Sequence, residues 1–145
     1  MDLIYEIVRD EIIIGYIQLY NKDEENRHIK MNGDFFIENG LEYLKKAAVK
    51  ILKIAFEELK MEKVIIETVE LDEMRDELAV YLRFNFDGIL REHLIIDNIR
   101  HTLVVKSLLK HEYERFYYSE RGGAYESEDL ELRKVTKEHL DKKEE

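Results

Sequence analysis

The chain has 145 residues, 45% hydrophobic and 39% charged, with a formal net charge of −10 at pH 7. That length suits one domain with a buried core. The acidic balance excludes a general nucleic-acid binder, which needs a basic face to neutralise phosphates, and the lack of cysteine excludes disulfides, thiolate metal sites and a cysteine nucleophile.

The negative charge suits cationic partners such as amines, and equally suits plain solubility. No apolar run reaches the length of a membrane span, and the first residues do not form a secretion signal, so a cytoplasmic location is expected. Residues 3–8 and 12–20 are β-rich runs on either side of Arg9-Asp10-Glu11, which predicts an antiparallel hairpin. Gly15 within the second run signals a bulge or a close backbone approach. A polar loop over 21–27 leads to a third predicted strand, 28–37, interrupted at Asn32-Gly33 by a turn or bulge.

A long amphipathic helix is predicted over 39–60. Leu41, Leu44, Ala48, Ile51, Ala55 and Leu59 recur at three- and four-residue steps, while Lys46, Lys50, Lys53, Glu57 and Lys60 fall on the wet side. The near-continuous apolar run at 64–69 predicts a strand inside the sheet. Asp72 is the expected N-cap of a second, shorter helix with Leu78, Tyr81 and Leu82 facing inward. Strand, helix, strand and helix with short joints form a right-handed crossover, whose first helix offers its N-terminus to an anionic ligand.

Residues 88–109 read as a hairpin turning at Asp97-Asn98. That turn sets His93 opposite Thr102 and His101 opposite Leu94, so the two histidines face opposite sides and cannot share an ion. No metal site is expected. Tyr113, Phe116, Tyr117 and Tyr118 form an aromatic cluster, which suits either a subunit contact or a cover for the open end of the sheet. Arg121-Gly122-Gly123-Ala124 reads as a joint, and Ser127 as the cap of a charged terminal helix.

Three stretches carry a family resemblance. They are Ala55-Phe-Glu-Glu-Leu59 with Glu62-Lys-Val-Ile-Ile-Glu67, then Ala79-Val-Tyr-Leu-Arg-Phe-Asn-Phe86, then the hairpin from Gly88 to Leu109. In order and spacing they resemble the GNAT superfamily of acyl-CoA N-acyltransferases, in its branch of ribosomal-protein and amino-sugar N-acetyltransferases. The resemblance spans residues 11–112. It implies an α/β (α+β) fold: a mixed, mostly antiparallel sheet flanked by two main helices. Residues 1–112 would form the core, and 113–145 a C-terminal extension with a short helix.

The implied activity moves an acetyl group from acetyl-CoA to a primary amine, namely a protein N-terminus, an amino sugar or a small amine. Tyr81 matches the tyrosine that protonates the departing CoA thiolate in the family; its plainer reading is an inward-facing core residue. The backbone at Phe35, Phe36 and Ile37 would bind pantetheine amides and polarise the thioester carbonyl. Gly40, Lys45 and Lys46 would stand near the pyrophosphate. Two departures matter: the small positions of the family's phosphate loop fall on Tyr43 and Lys45, and the matching stretch begins after the family's first strand and two helices. Both favour an alternative, a catalytically silent GNAT-like module acting through homo-oligomeric or protein-protein association, with a homodimer among the forms it would take. His28, Asp34, Glu38 and Glu67 are the carboxylates and histidine nearest the implied site; none is assigned as a general base.

Overall fold

The computed structural model describes residues 2–120 and 130–136. Its strands are β1 (Leu3–Arg9), β2 (Ile12–Asp23), β3 (His28–Phe35), β4 (Lys63–Val69), β5 (Asn85–Ile96), β6 (Ile99–Leu109) and β7 (Glu131–Lys134). Helix α1 (Leu41–Lys53) continues as a wider π-helical turn, Ile54–Glu58, α2 is Glu73–Tyr81, and α3 (Lys110–Tyr113) runs on as π-helix Glu114–Glu120. The strands form one seven-stranded sheet in the order β5-β6-β4-β3-β2-β1-β7. Only β3 and β4 are parallel, joined by the α1 crossover; the other pairs are antiparallel. This is the mixed, mostly antiparallel α/β architecture that the resemblance implies.

The α1 stripe is buried as its periodicity requires. Leu44, Ala47, Ala48, Ile51 and Leu52 are sealed against the sheet, each large apolar side chain contributing about 1.5–3 kcal/mol relative to exposure. The π-helical turn, marked by Leu59 N–H donating to Ile54 O at 2.9 Å, lets Ala55 and Phe56 both turn inward. Phe56 stacks on Tyr113 at 4.7 Å, and Tyr113 on Tyr117 at 5.0 Å. Tyr113 and Tyr117 therefore belong to this chain's own core, and the Tyr117 hydroxyl donates to Leu82 O.

Gly15 meets both expectations. Ile14 is the extra residue of a bulge where the β1–β2 register shifts, and a Cβ on Gly15 would stand 2.4 Å from Asp34 O. Asn32-Gly33 is different. Strand β3 runs through it without interruption, pairing Gln18 with Asn32 and Ile17 with Gly33. The glycine serves packing rather than turning: a Cβ there would lie 2.9 Å from Leu44 Cδ1 of α1. The β5–β6 hairpin turns at Asp97-Asn98 and sets Leu94 opposite His101, as expected. It does not set His93 in simple register with Thr102. Between Leu90↔Leu103 and Leu94↔His101 the strand bulges, with Glu92 at φ 48°.

The terminal helix expected after Ser127 falls mostly outside the described residues, as do the joint at Gly122-Gly123 and His139. Within it, Glu131–Lys134 is extended rather than helical. Its backbone pairs antiparallel with β1, Ile7 opposite Leu132, because an otherwise open sheet edge offers a full row of hydrogen bonds. Leu130 is buried in the core just before it.

Candidate functional site

The β3–β4 ladder is short. It pairs His28 with Lys63, Ile29 with Val64 and Lys30 with Ile65; beyond Lys30 the two strands are unpaired, which leaves a gap in the hydrogen bonding of the sheet. Phe36 N–H donates to Ile14 O across β2 at 2.8 Å. Gly15 and Phe35 are consequently a non-hydrogen-bonded pair of that ladder. By the alternation of an antiparallel pair, the backbone polar groups of Gly33 and Phe35 point away from β2, into the gap. The gap thus presents a carbonyl acceptor and an amide donor from one strand.

Both groups are engaged by the chain itself. Arg75, in the first turn of α2, donates from Nη2 to Gly33 O at 3.1 Å and from Nε to Asn32 Oδ1 at 3.0 Å. Its Nη1 donates to Asp72 Oδ2 at 3.0 Å, and Asp34 Oδ2 lies 3.6 Å from Nη2. Phe35 N–H donates to Asp34 Oδ1 at 2.8 Å. Asp72 has a second role: as the N-cap foreseen for α2, it accepts from Arg75 N–H at 3.1 Å. Near the gap, Tyr20 feels Arg75 as well. Burial, then the charges of Glu67 and Asp2, push its phenol above the usual range, while Arg75 acts in the opposite sense.

The residues singled out from sequence lie at and just beyond the end of β3 and on or beside α1 and α2. Phe35 packs its ring on the start of α1, where a Cβ on Gly40 would come within 2.4 Å of Phe35 Cδ2. Gly40 is the N-cap, and no side chain caps that end. Phe36 is exposed and tilted against Tyr16; Ile37 is half-buried beside the core. Lys45 pairs with Glu42 at 3.1 Å and Glu77 at 3.4 Å. Burial alone would depress its ammonium, but the two carboxylates outweigh burial and raise it. Its Nζ also lies 5.1 Å from the centre of the Tyr81 ring, so Lys45 and Tyr81 come together at the α1–α2 contact. Lys46 stands 5.6 Å from the ring of Tyr43, with Arg9 at 4.8 Å from the same ring. Among the other carboxylates, Glu67 pairs with Lys30 at 2.8 Å. His28 faces Asp23 at 3.5 Å and keeps a buried Nδ1 without a partner.

Sequence reasoning passed over Arg75, Asn32 and Asp34 as a group. Alternation places Asn32 and Asp34 on one face of β3, and Arg75 follows the N-cap by one turn. The missing signal was the gap, which neither strand's composition announces.

No protein-family profile matches the chain. It is 30% identical over 111 residues to YdaF of Bacillus subtilis (strain 168), a protein provisionally named a ribosomal N-acetyltransferase; the match takes in 74% of this chain and 60% of YdaF. A solved structure described provisionally as an acetyltransferase superposes with a TM-score of 0.66 at 28% identity, over 74% of this chain and 64% of that one. In sequence and in fold the chain is therefore similar to N-acetyltransferases of the GNAT type. The fold likeness extends further, to mutant forms of the spermidine/spermine N-acetyltransferase SpeG from Vibrio cholerae. There the TM-score is 0.71 at 16% identity, over 77% of this chain and 69% of SpeG. The chain spans about three-fifths of the length of YdaF. Among the described residues no group of three or more His, Asp or Glu side chains could hold a metal ion, and no helix is long and apolar enough to cross a membrane.

Proposed function

We propose that this chain is a GNAT-type N-acetyltransferase that moves an acetyl group from acetyl-CoA to a primary amine. The observation that carries this reading is the β3–β4 gap, with Gly33 O and Phe35 N–H directed into it. A pantetheine arm carries amides, and an amide needs one acceptor and one donor spaced along a strand, which β3 supplies. In this reading the backbone at Phe35, Phe36 and Ile37 guides the arm and Gly40, Lys45 and Lys46 lie toward its phosphates. The free amine attacks the thioester carbon and loses a proton to solvent, a C–N bond forms as the C–S bond breaks, and Tyr81 gives its phenolic proton to the sulfur and regains one from solvent. The names of YdaF and SpeG as N-acetyltransferases and the net charge of −10 support an amine acceptor. Residues 1–112 form the acyltransferase core in this proposal, 113–145 the extension, and the setting is cytoplasmic.

Millimolar CoA should raise the melting temperature, since ligand at a hundred times its dissociation constant adds about 2.7 kcal/mol of stability. Tyr81→Phe should slow acetyl transfer severalfold in a CoA-release assay and leave the melting temperature nearly unchanged; an unaltered rate removes Tyr81 from the chemistry. One observation favours the second reading, a silent module that works by association. Ile89, Ile95 and Ile99 are each more than half exposed on the β5–β6 hairpin, with Phe86 close by on β5. This reading expects no CoA shift and a homodimer in analytical ultracentrifugation.

A further inference from the structure

The side chains that fill the β3–β4 gap reproduce the hydrogen bonds of an amide. Arg75 supplies the N–H donor to Gly33 O, and the Asp34 carboxylate supplies the oxygen acceptor for Phe35 N–H. The two side chains are 3.6 Å apart, so they act as one unit across the opening. Asp72 holds the far side of the guanidinium, and the Arg75 side chain is 21% exposed. A resident occupant bound at the acceptor and donor of the slot must leave before another amide can use them.

We infer that Arg75 is a latch on the acyl-donor slot: its guanidinium, coupled to Asp34 and anchored by Asp72, keeps the slot shut until it swings out. This rests on the acyl-CoA reading above. It assigns Arg75 as a residue that governs access, not one that reacts. Opening breaks the bonds to Gly33 O and Asn32 Oδ1 and releases Asp34 from Arg75, so that the Asp34 carboxylate can turn away from Phe35 N–H and leave it to the incoming carbonyl. The arm then gives Gly33 O an N–H and takes Phe35 N–H in return, so no buried polar group is left unmade. The latch also reconciles a gap built for an amide with a structure in which that gap is closed.

The test is a calorimetric titration with CoA of four full-length proteins: wild type, Arg75→Ala, Asp72→Asn and Arg100→Ala. Asparagine keeps the α2 N-cap while removing the charge that anchors Nη1, and Arg100 sits on the distant hairpin, where it controls for loss of one positive charge. If the open form is a minor population, removing the latch tightens apparent binding by the inverse of that fraction, about tenfold for an open fraction near one-tenth. The expected order of affinity is Arg75→Ala tightest, then Asp72→Asn, with Arg100→Ala equal to wild type. Equal or weaker binding by Arg75→Ala overturns the latch and leaves the acyl-CoA reading intact. Absence of binding in all four overturns both. Should circular dichroism find Arg75→Ala unfolded, Asp72→Asn decides alone: tighter binding supports the latch, and unchanged binding overturns it.

Discussion

Gly15→Ala should lower the melting temperature by roughly 10 °C, a larger change than glycine-to-alanine exchanges give at open strand positions. The reason is geometric. The new Cβ would stand 2.4 Å from Asp34 O and 3.0 Å from Phe35 Cα, both backbone atoms that no rotamer change can move aside. Strand β3 must shift bodily, and overpacking of that kind costs about 1–3 kcal/mol or more. The same shift displaces Asp34 and Phe35, which border the gap. CoA binding should therefore weaken together with stability. Gly88→Ala is the control: a Cβ there meets nothing within 4 Å, and its melting temperature should stay near that of wild type. Equal melting temperatures for the two variants would mean that β2 and β3 are not in the contact described.

Phe56→Ala should have the largest effect on stability, about 3–5 kcal/mol, read as a lower urea midpoint at unchanged slope. Phe56 is 1% exposed and holds the π-helical turn against Tyr113. Truncation leaves a cavity between α1 and α3, and it removes the ring that orders Tyr113 over Tyr117. Phe56→Leu keeps most of the volume and should cost well under half as much. A loss below about 1 kcal/mol for the alanine variant would show that the aromatic stack is not part of the stable core.

Much of the fold can be read from the chain because burial and periodicity are coupled. The stripe from Leu44 to Ala55 marks α1, the apolar run at Val64 to Val69 marks an interior strand, and Asp72 marks the start of α2. Features set by pairing rather than by burial are harder to read. Asn32-Gly33 has the composition of a turn, yet the glycine answers to Leu44 packing from another element. The π-helical turn leaves the hydrophobic spacing of Ala55, Phe56 and Leu59 compatible with an ordinary helix. β7 is short and charged, and only the open side of β1 makes it a strand. The candidate site shares this difficulty. Tyr81, Gly40, Lys45 and Asp34 are singled out through a family likeness, whereas the contact of Arg75 with Asp34 and Gly33 acquires meaning only where two parallel strands part company.

The bulge in β5 bears on how these molecules can meet. Arg91, Glu92 and His93 lie opposite Thr102 alone, and Glu92 takes a left-handed conformation in mid-strand. A terminal strand of a sheet is a template for endless lateral growth unless something breaks its line. Here the kink breaks it, with charged side chains at the break. Two copies cannot zip edge to edge along the whole of β5, so this rim of the sheet offers no unbroken line on which fibrils could grow.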